Sequence, residues 1–279
     1  MMEEQRGRLG CKAPRFRRDI DEGLLDTSRL STHHQPMKIG IISDIHSNIQ
    51  ALSKAFEYAE GQGIERMVCL GDIVGYGADP NPCCDLIRDR CDITLLGNHD
   101  AAVIGAMEES YYYQEAKDVI LWTRDRLTDE NFSWLFSLPY TAKLGDFGFF
   151  HSAPILPSGF YYMVHEGDAA YHLQILDKLD RYSFIGHSHL TQTFILAEDE
   201  VRDVTGTTET PGDGEKIIMT VGSVGQPRDR NPDLCFVIVD TESGEYEYVR
   251  LGYDIKSAAQ QIEAAGLSQR FSRRLYEGI

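Results

Sequence analysis

From residue 37 onward, short apolar runs alternate with segments of helical period. Ile39 to Ser43 predicts a short buried strand. Asn48 can then cap a helix whose apolar face is Ile49, Leu52, Ala55, Phe56 and Ala59, with Gly61 and Gly63 ending it. Arg66 to Leu70 predicts a second strand. Asn81-Pro82 offers a cap and a first-turn proline for a helix through about Arg90. Asp92 to Leu96 predicts a third strand, and residues 101 to 138 read as helical. Strand-like runs then dominate: Phe147 to Phe150, Tyr182 to Ile185, Thr193 to Ala197, Lys216 to Val221, Leu234 to Val239 and Glu245 to Leu251. A helix from about Ile255 to Ala265 closes the pattern.

The first three strands alternate with helices, which implies parallel β-α-β units. The later strands lie closer together and predict a second, mixed sheet. The expected class is α/β, with two facing mixed β-sheets flanked by helices, in one domain spanning 37–279. Residues 1–36 differ. Arg6, Arg8, Lys12, Arg15, Arg17 and Arg18 are followed by Asp19, Asp21, Glu22 and Asp26, with little apolar periodicity. That composition predicts a disordered extension, and Met37 reads as a natural domain start.

Composition narrows the classes of function. The 279 residues are 42% hydrophobic, enough for a sizeable core. No apolar run approaches the roughly 20 residues of a membrane span, and Met1 to Gly10 is too polar for a signal segment. The expectation is a cytoplasmic protein without a membrane partner. The formal charge of −17 repels polyanions and argues against a nucleic-acid polymer as partner. A small phosphorylated substrate stays open, because bound divalent cations reverse the local potential. Cys69 and Cys235 lie inside apolar runs and read as small buried thiols. Tyr111, Tyr112, Tyr113 and Trp122 read as packing groups. His33, His34, His165 and His172 have no motif around them.

Five polar clusters sit where apolar runs end: Asp44-Ile45-His46, Gly71-Asp72, Gly97-Asn98-His99-Asp100, His151 and Gly186-His187-Ser188-His189. They hold five of the nine histidines. Parallel strands bring their C-terminal ends to one sheet edge, where open α/β folds place ligand sites. Carboxylate, amide and imidazole donors arriving there suit two first-row divalent ions. Ser188 lacks a nucleophile elbow and is not read as a nucleophile.

This series resembles the calcineurin-like metallophosphoesterase superfamily over about residues 37 to 240. Gly71-Asp72-Ile73-Val74-Gly75-Tyr76-Gly77 and Gly222-Ser223-Val224-Gly225-Gln226-Pro227-Arg228 look like a bacterial branch of small metallophosphoesterases that includes diadenosine tetraphosphatase-like members. The resemblance implies an αββα sandwich and two divalent ions drawn from Mn, Fe, Zn, Co or Ni. It implies Asp44, His46, Asp72 and His189 around one metal and Asp72, Asn98, His151 and His187 around the other, with Asp72 bridging. It implies a hydrolase of phosphomonoesters, phosphodiesters or dinucleoside polyphosphates that uses metal-activated hydroxide. Asn98 and His99 would contact the phosphoryl group, and His99 would protonate the leaving group. Asp100 can orient the His99 ring or cap the helix that follows. Protein serine/threonine phosphatases of this superfamily carry Asp-Arg where this chain has Gly75-Tyr76, which argues against that activity. Arg228 is the candidate replacement for the missing guanidinium. The remaining alternative is a non-catalytic interaction module on the same fold.

Overall fold

The computed structural model describes residues 37–279, so the expectation of disorder before Met37 lies outside the described residues. Eleven strands and eight α-helices follow among them. In the first half these are β1 (Lys38–Ile42), α1 (Ile49–Glu60), β2 (Arg66–Cys69), α2 (Pro80–Arg90), β3 (Ile93–Thr94), α3 (Asn98–Val103), α4 (Gln114–Arg124) and α5 (Asp129–Ser137). Next come β4 (Thr141–Leu144), β5 (Phe147–Phe150), α6 (Glu166–Ala170), β6 (Tyr182–Ile185), β7 (Thr191–Leu196), β8 (Val201–Asp203) and β9 (Lys216–Val221). The chain ends with β10 (Leu234–Asp240), β11 (Tyr246–Leu251), α7 (Ile255–Ala264) and α8 (Gln269–Glu277).

The strands form two mixed sheets, ordered β11-β10-β1-β2-β3 and β4-β5-β6-β9-β7-β8. The expected class is therefore observed, with one correction. The strands after β9 do not extend the second sheet. β10 runs antiparallel to β1, pairing Lys38 with Asp240, and β11 pairs with β10. The predicted helical stretch 101–138 is divided into the end of α3, then α4 and α5. Asp79, not Asn81, precedes α2, and Asn81 instead bonds the Arg126 carbonyl.

Period-2 alternation assigns the faces. On β1, Ile39 and Ile41 point between the sheets and Ile42 points to the helices. The inner layer joins these residues to Val68, Phe149, Phe184, Met219 and Val237. The outer layer packs Leu52, Ala55 and Phe56 of α1 and Ile87 of α2 against Phe236 and Ile238. Both faces of β10 are covered, so its sequence is continuously apolar. Asn48 caps α1 as expected, accepting from the Ala51 N–H at 3.1 Å, and its amide donates to the Gly225 carbonyl at 2.8 Å. Cys69 and Cys235 are fully buried in their strands. No described helix is long and apolar enough to cross a membrane.

Candidate metal centre

β1, β2 and β3 are parallel, as are β5, β6 and β9, so six strand ends meet at one edge of the sandwich. The loops beyond them are tied to one another. Asp44 N–H donates to the Gly71 carbonyl at 3.0 Å, His46 N–H to the Asp72 carbonyl at 2.9 Å, and Gly186 N–H to the His151 carbonyl at 2.9 Å. The Asp44 carboxylate accepts from His187 N–H at 3.0 Å, joining the two sheets.

The approach is close enough to require glycine. A Cβ on Gly225 would lie 1.7 Å from the Ile45 carbonyl oxygen, and one on Gly97 would lie 2.1 Å from Asp72 N. Backbone cannot move aside as a side chain can. Gly225→Ala should therefore cost about 1–3 kcal/mol, as overpacked interiors do. Urea unfolding measures this, and an unchanged midpoint would show that the loops yield more readily than their contacts suggest.

The backbone here is also strained. Asp44, His46, Ser47, Asp72, Tyr76, His187 and His189 all hold φ between 49° and 67°. Non-glycine residues in this region cost roughly 1–3 kcal/mol each and persist where surroundings enforce them, most often at functional sites.

The donor atoms form two groups that share one residue. Ligand atoms of Asp44, His46, Asp72 and His189 lie within 4.8 Å of one another, and so do those of Asp72, His151 and His187. All six residues are buried. Asp72 turns one oxygen to each group: Oδ2 lies 3.6 Å from His46 Nε2 and Oδ1 lies 3.5 Å from His151 Nε2. Asn98 joins the second group, with Oδ1 3.1 Å from His151 Nε2.

Backbone carbonyls fix the imidazoles. His46 Nδ1 faces the Val74 carbonyl at 3.2 Å, His151 Nδ1 the Leu70 carbonyl at 3.1 Å, and His189 Nδ1 the Gln226 carbonyl at 2.5 Å. A carbonyl only accepts, so each Nδ1 carries hydrogen. In a neutral ring, Nε2 is then a bare lone pair. The Nε2 atoms of His46 and His189 face each other at 3.1 Å, beside two carboxylates. His187 Nε2 is buried with no hydrogen-bond partner among the described residues. Converging lone pairs and carboxylate oxygens repel one another unless a cation sits among them, so the residues fit divalent metal.

The local charges agree. Burial pushes His46 and His189 well below the usual imidazole range and His187 down to about 3, so these rings are neutral donors. Burial pushes Asp44 up to about 7. It also opposes charge on Asp72, yet His151, His99 and His46 hold that carboxylate well below its usual range. For His151, burial lowers the pKa, but Asp72 and then Asp44 outweigh it and raise it to about 9. Taken by itself the anionic cluster gathers a proton onto His151, which is the demand for positive charge seen from the other side.

His99, Arg228 and Asp100 complete the predicted set, and the third is a correction. His99 N–H donates to Asp72 Oδ1 at 2.7 Å, while its ring packs 4.4 Å from Tyr76 and 5.0 Å from Tyr112. Burial pushes this ring down to about 4. Its Nδ1 is buried without a hydrogen-bond partner among the described residues. Asp100 does not orient it: its carboxylate accepts from Val74 N–H and Gly97 N–H, each at 3.0 Å. The capping alternative therefore holds, and Asp100 braces the loops carrying Asp72 and Asn98. The Arg228 guanidinium donates to Gln226 Oε1 at 2.9 Å and lies 5.7 Å from the Tyr76 ring centre.

A cavity of about 290 Å³ opens onto His99, Asn98, His187 and Arg228. Its aromatic wall was not foreseen. Tyr112 bonds the Asn98 amide at 2.6 Å, Tyr162 stacks on His187 at 3.9 Å, and Tyr111 is 77% exposed rather than packed. Three consecutive tyrosines cannot all face a core, and that was the available signal. His165 caps α6 and His172 bonds the Asp168 carbonyl, both away from the cluster, while His33 and His34 lie outside the described residues.

Two facing mixed sheets under helices, with buried nitrogen and oxygen donors gathered at one edge, define a metallophosphoesterase-type sandwich. The chain belongs to the calcineurin-like phosphoesterase superfamily, whose domain model matches residues 37–244. An uncharacterized protein of Methanocaldococcus jannaschii is 34% identical over 247 residues, covering 86% of this chain and 98% of its own. A metallophosphoesterase from Sphaerobacter thermophilus is 28% identical, with a TM-score of 0.73, and covers 88% of this chain and 100% of its own. A hypothetical protein from Pyrococcus horikoshii shares the fold at 18% identity and a TM-score of 0.68, over 87% of this chain and 98% of its own.

Proposed function

We propose that this protein hydrolyses phosphate esters, mono- or diesters of small molecules, with two divalent cations. Asp44, His46, Asp72 and His189 would hold one cation. Asp72, Asn98, His151 and His187 would hold the other. The observation that carries the reading is the facing of the His46 and His189 lone pairs beside Asp44 and Asp72. When bound, such a pair of cations neutralises phosphoryl oxygens and lowers the pKa of water.

The chain's own residues do the rest. Asp72 presents an oxygen to each half of the donor cluster and would be shared by the two cations. Tyr112 orients the Asn98 amide. His99 and Arg228 line the cavity beside the donors. A guanidinium there matches phosphoryl oxygens in plane, and the His99 ring, which phosphoryl charge beside it would favour in the protonated form, can pass a proton to the departing oxygen. Tyr76 packs against His46 and His99 at the position where protein phosphatases hold arginine, so a phosphoprotein substrate is not favoured.

The test is to strip the protein with chelator and reload it with Mn, Fe, Co, Ni or Zn singly. Turnover of p-nitrophenyl phosphate, its bis ester and a dinucleoside polyphosphate is then measured. Metal-free protein should be inert, and activity should return as two equivalents bind. A protein that binds two metals yet stays inert on all three would instead be an interaction module.

A further inference from the structure

The C-terminal helices α7 and α8 lie beyond the residues matched by the family domain, yet α8 reaches the candidate site. Phe271 and Leu275, one turn apart on α8, join Ala258 and Ile262 of α7 and Tyr76 in one apolar cluster. The Phe271 ring lies 5.0 Å from that of Tyr76. Docking on Tyr76 turns the flank of α8 toward the cavity. Arg274 therefore lines it, as Arg228 does.

Arg274 has little to do for the fold. The one hydrogen bond of its side chain among the described residues is to the Tyr113 hydroxyl at 3.4 Å, and it makes no ion pair there. Arg270, one turn earlier, sits 5.1 Å from the Tyr113 ring centre, so the pair holds that ring in place. In a chain of net charge −17, two arginines that line one cavity and have no carboxylate partner among the described residues oppose the general trend. Arg228 stands near enough to the donor cluster to lower the pKa of His46, His99 and His189. It can share the phosphoryl group held there. Arg274 lines the side formed by α8 and suits a second anionic group, since a guanidinium binds phosphate bidentately. Tyr111 and Tyr162, both largely exposed, line the same cavity and offer ring surface on which a planar aromatic system can stack. The cavity of about 290 Å³ is close to the lower end of small-molecule sites.

We propose that Arg274 is a specificity residue for a second anionic group, and that the tyrosine wall takes an aromatic ring system. The preferred substrate then has the chemistry of a nucleoside diphosphate. This rests on the phosphoesterase reading above. The reaction is hydrolysis of the terminal group. Water oxygen bonds to the terminal phosphorus, the bridging P–O bond breaks, and nucleoside monophosphate and phosphate leave.

The experiment uses the full chain loaded with manganese. Steady-state kinetics are measured on p-nitrophenyl phosphate, AMP and ADP, and binding of AMP and ADP is measured by calorimetry. ADP should exceed AMP at least tenfold in kcat/KM and in affinity. Arg274→Gln should erase most of that ratio through KM, and Arg274→Lys should restore part of it. Equal treatment of ADP and AMP by the wild type overturns the proposal, as does an equal loss on both in Arg274→Gln. If Arg274→Gln does not fold, the wild-type ratio and Arg274→Lys still decide. Failure on p-nitrophenyl phosphate with every metal would sink the hydrolase reading instead, and the binding ratio would still judge Arg274.

Discussion

Asp72→Asn is expected to lower metal content from two ions per chain to one or fewer and to cut turnover on the order of 10³-fold, the scale of losing a principal electrostatic stabiliser. Each oxygen of Asp72 faces a different half of the donor cluster. Two divalent ions about 3.5–4 Å apart repel strongly, and a shared anion offsets that repulsion. An amide keeps the size and one acceptor but removes the charge. The fold should survive, because Asp72 holds φ of 51° and asparagine is among the few residues at ease there. The amide oxygen can still accept from His99 N–H, now 2.7 Å from Oδ1. Elemental analysis, a thermal melt and a turnover assay on one preparation separate these effects. Two ions retained with turnover within tenfold of wild type would end the bridging assignment.

The strand-end clusters were legible because each follows an apolar run, and parallel strands carry such ends to one edge. Local pattern does not reveal which strand lies beside which. β10 pairs with β1 across some two hundred residues, and its apolar sequence suits either sheet equally. α8 was missed for a different reason. Its anchor is only Phe271 and Leu275, in a segment otherwise polar and rich in arginine, so its apolar stripe is too thin to stand out. Asp100 shows a third limit. Whether its carboxylate meets a ring or two backbone N–H groups depends on the Val74 loop folding over α3, a tertiary event. The same loop explains Gly75. A Cβ there would lie 2.7 Å from His99 Nδ1, so the glycine that stands where protein serine/threonine phosphatases have aspartate makes room for the ring.

His99→Ala tests the chemistry apart from the metals. Turnover should fall about 10²–10⁴-fold, the usual loss for a positioned acid or hydrogen-bond donor, with two ions still bound. The separation is possible because His99 reaches Asp72 through its backbone N–H, which alanine keeps. Its ring is not one of the donors: it packs edge-on against the His46 ring at 4.9 Å and lines the cavity beside Tyr76 and Tyr112. Removing the ring leaves space against Tyr76, so some stability is lost as well, and assays belong well below the melting point. A leaving group that needs no proton distinguishes the two roles of the ring. If His99 delivers the proton, the deficit should shrink on p-nitrophenyl phosphate, whose phenolate departs readily, relative to an alkyl phosphate. An equal deficit on both would confine His99 to holding the phosphoryl group, and full activity on both would remove it from the mechanism.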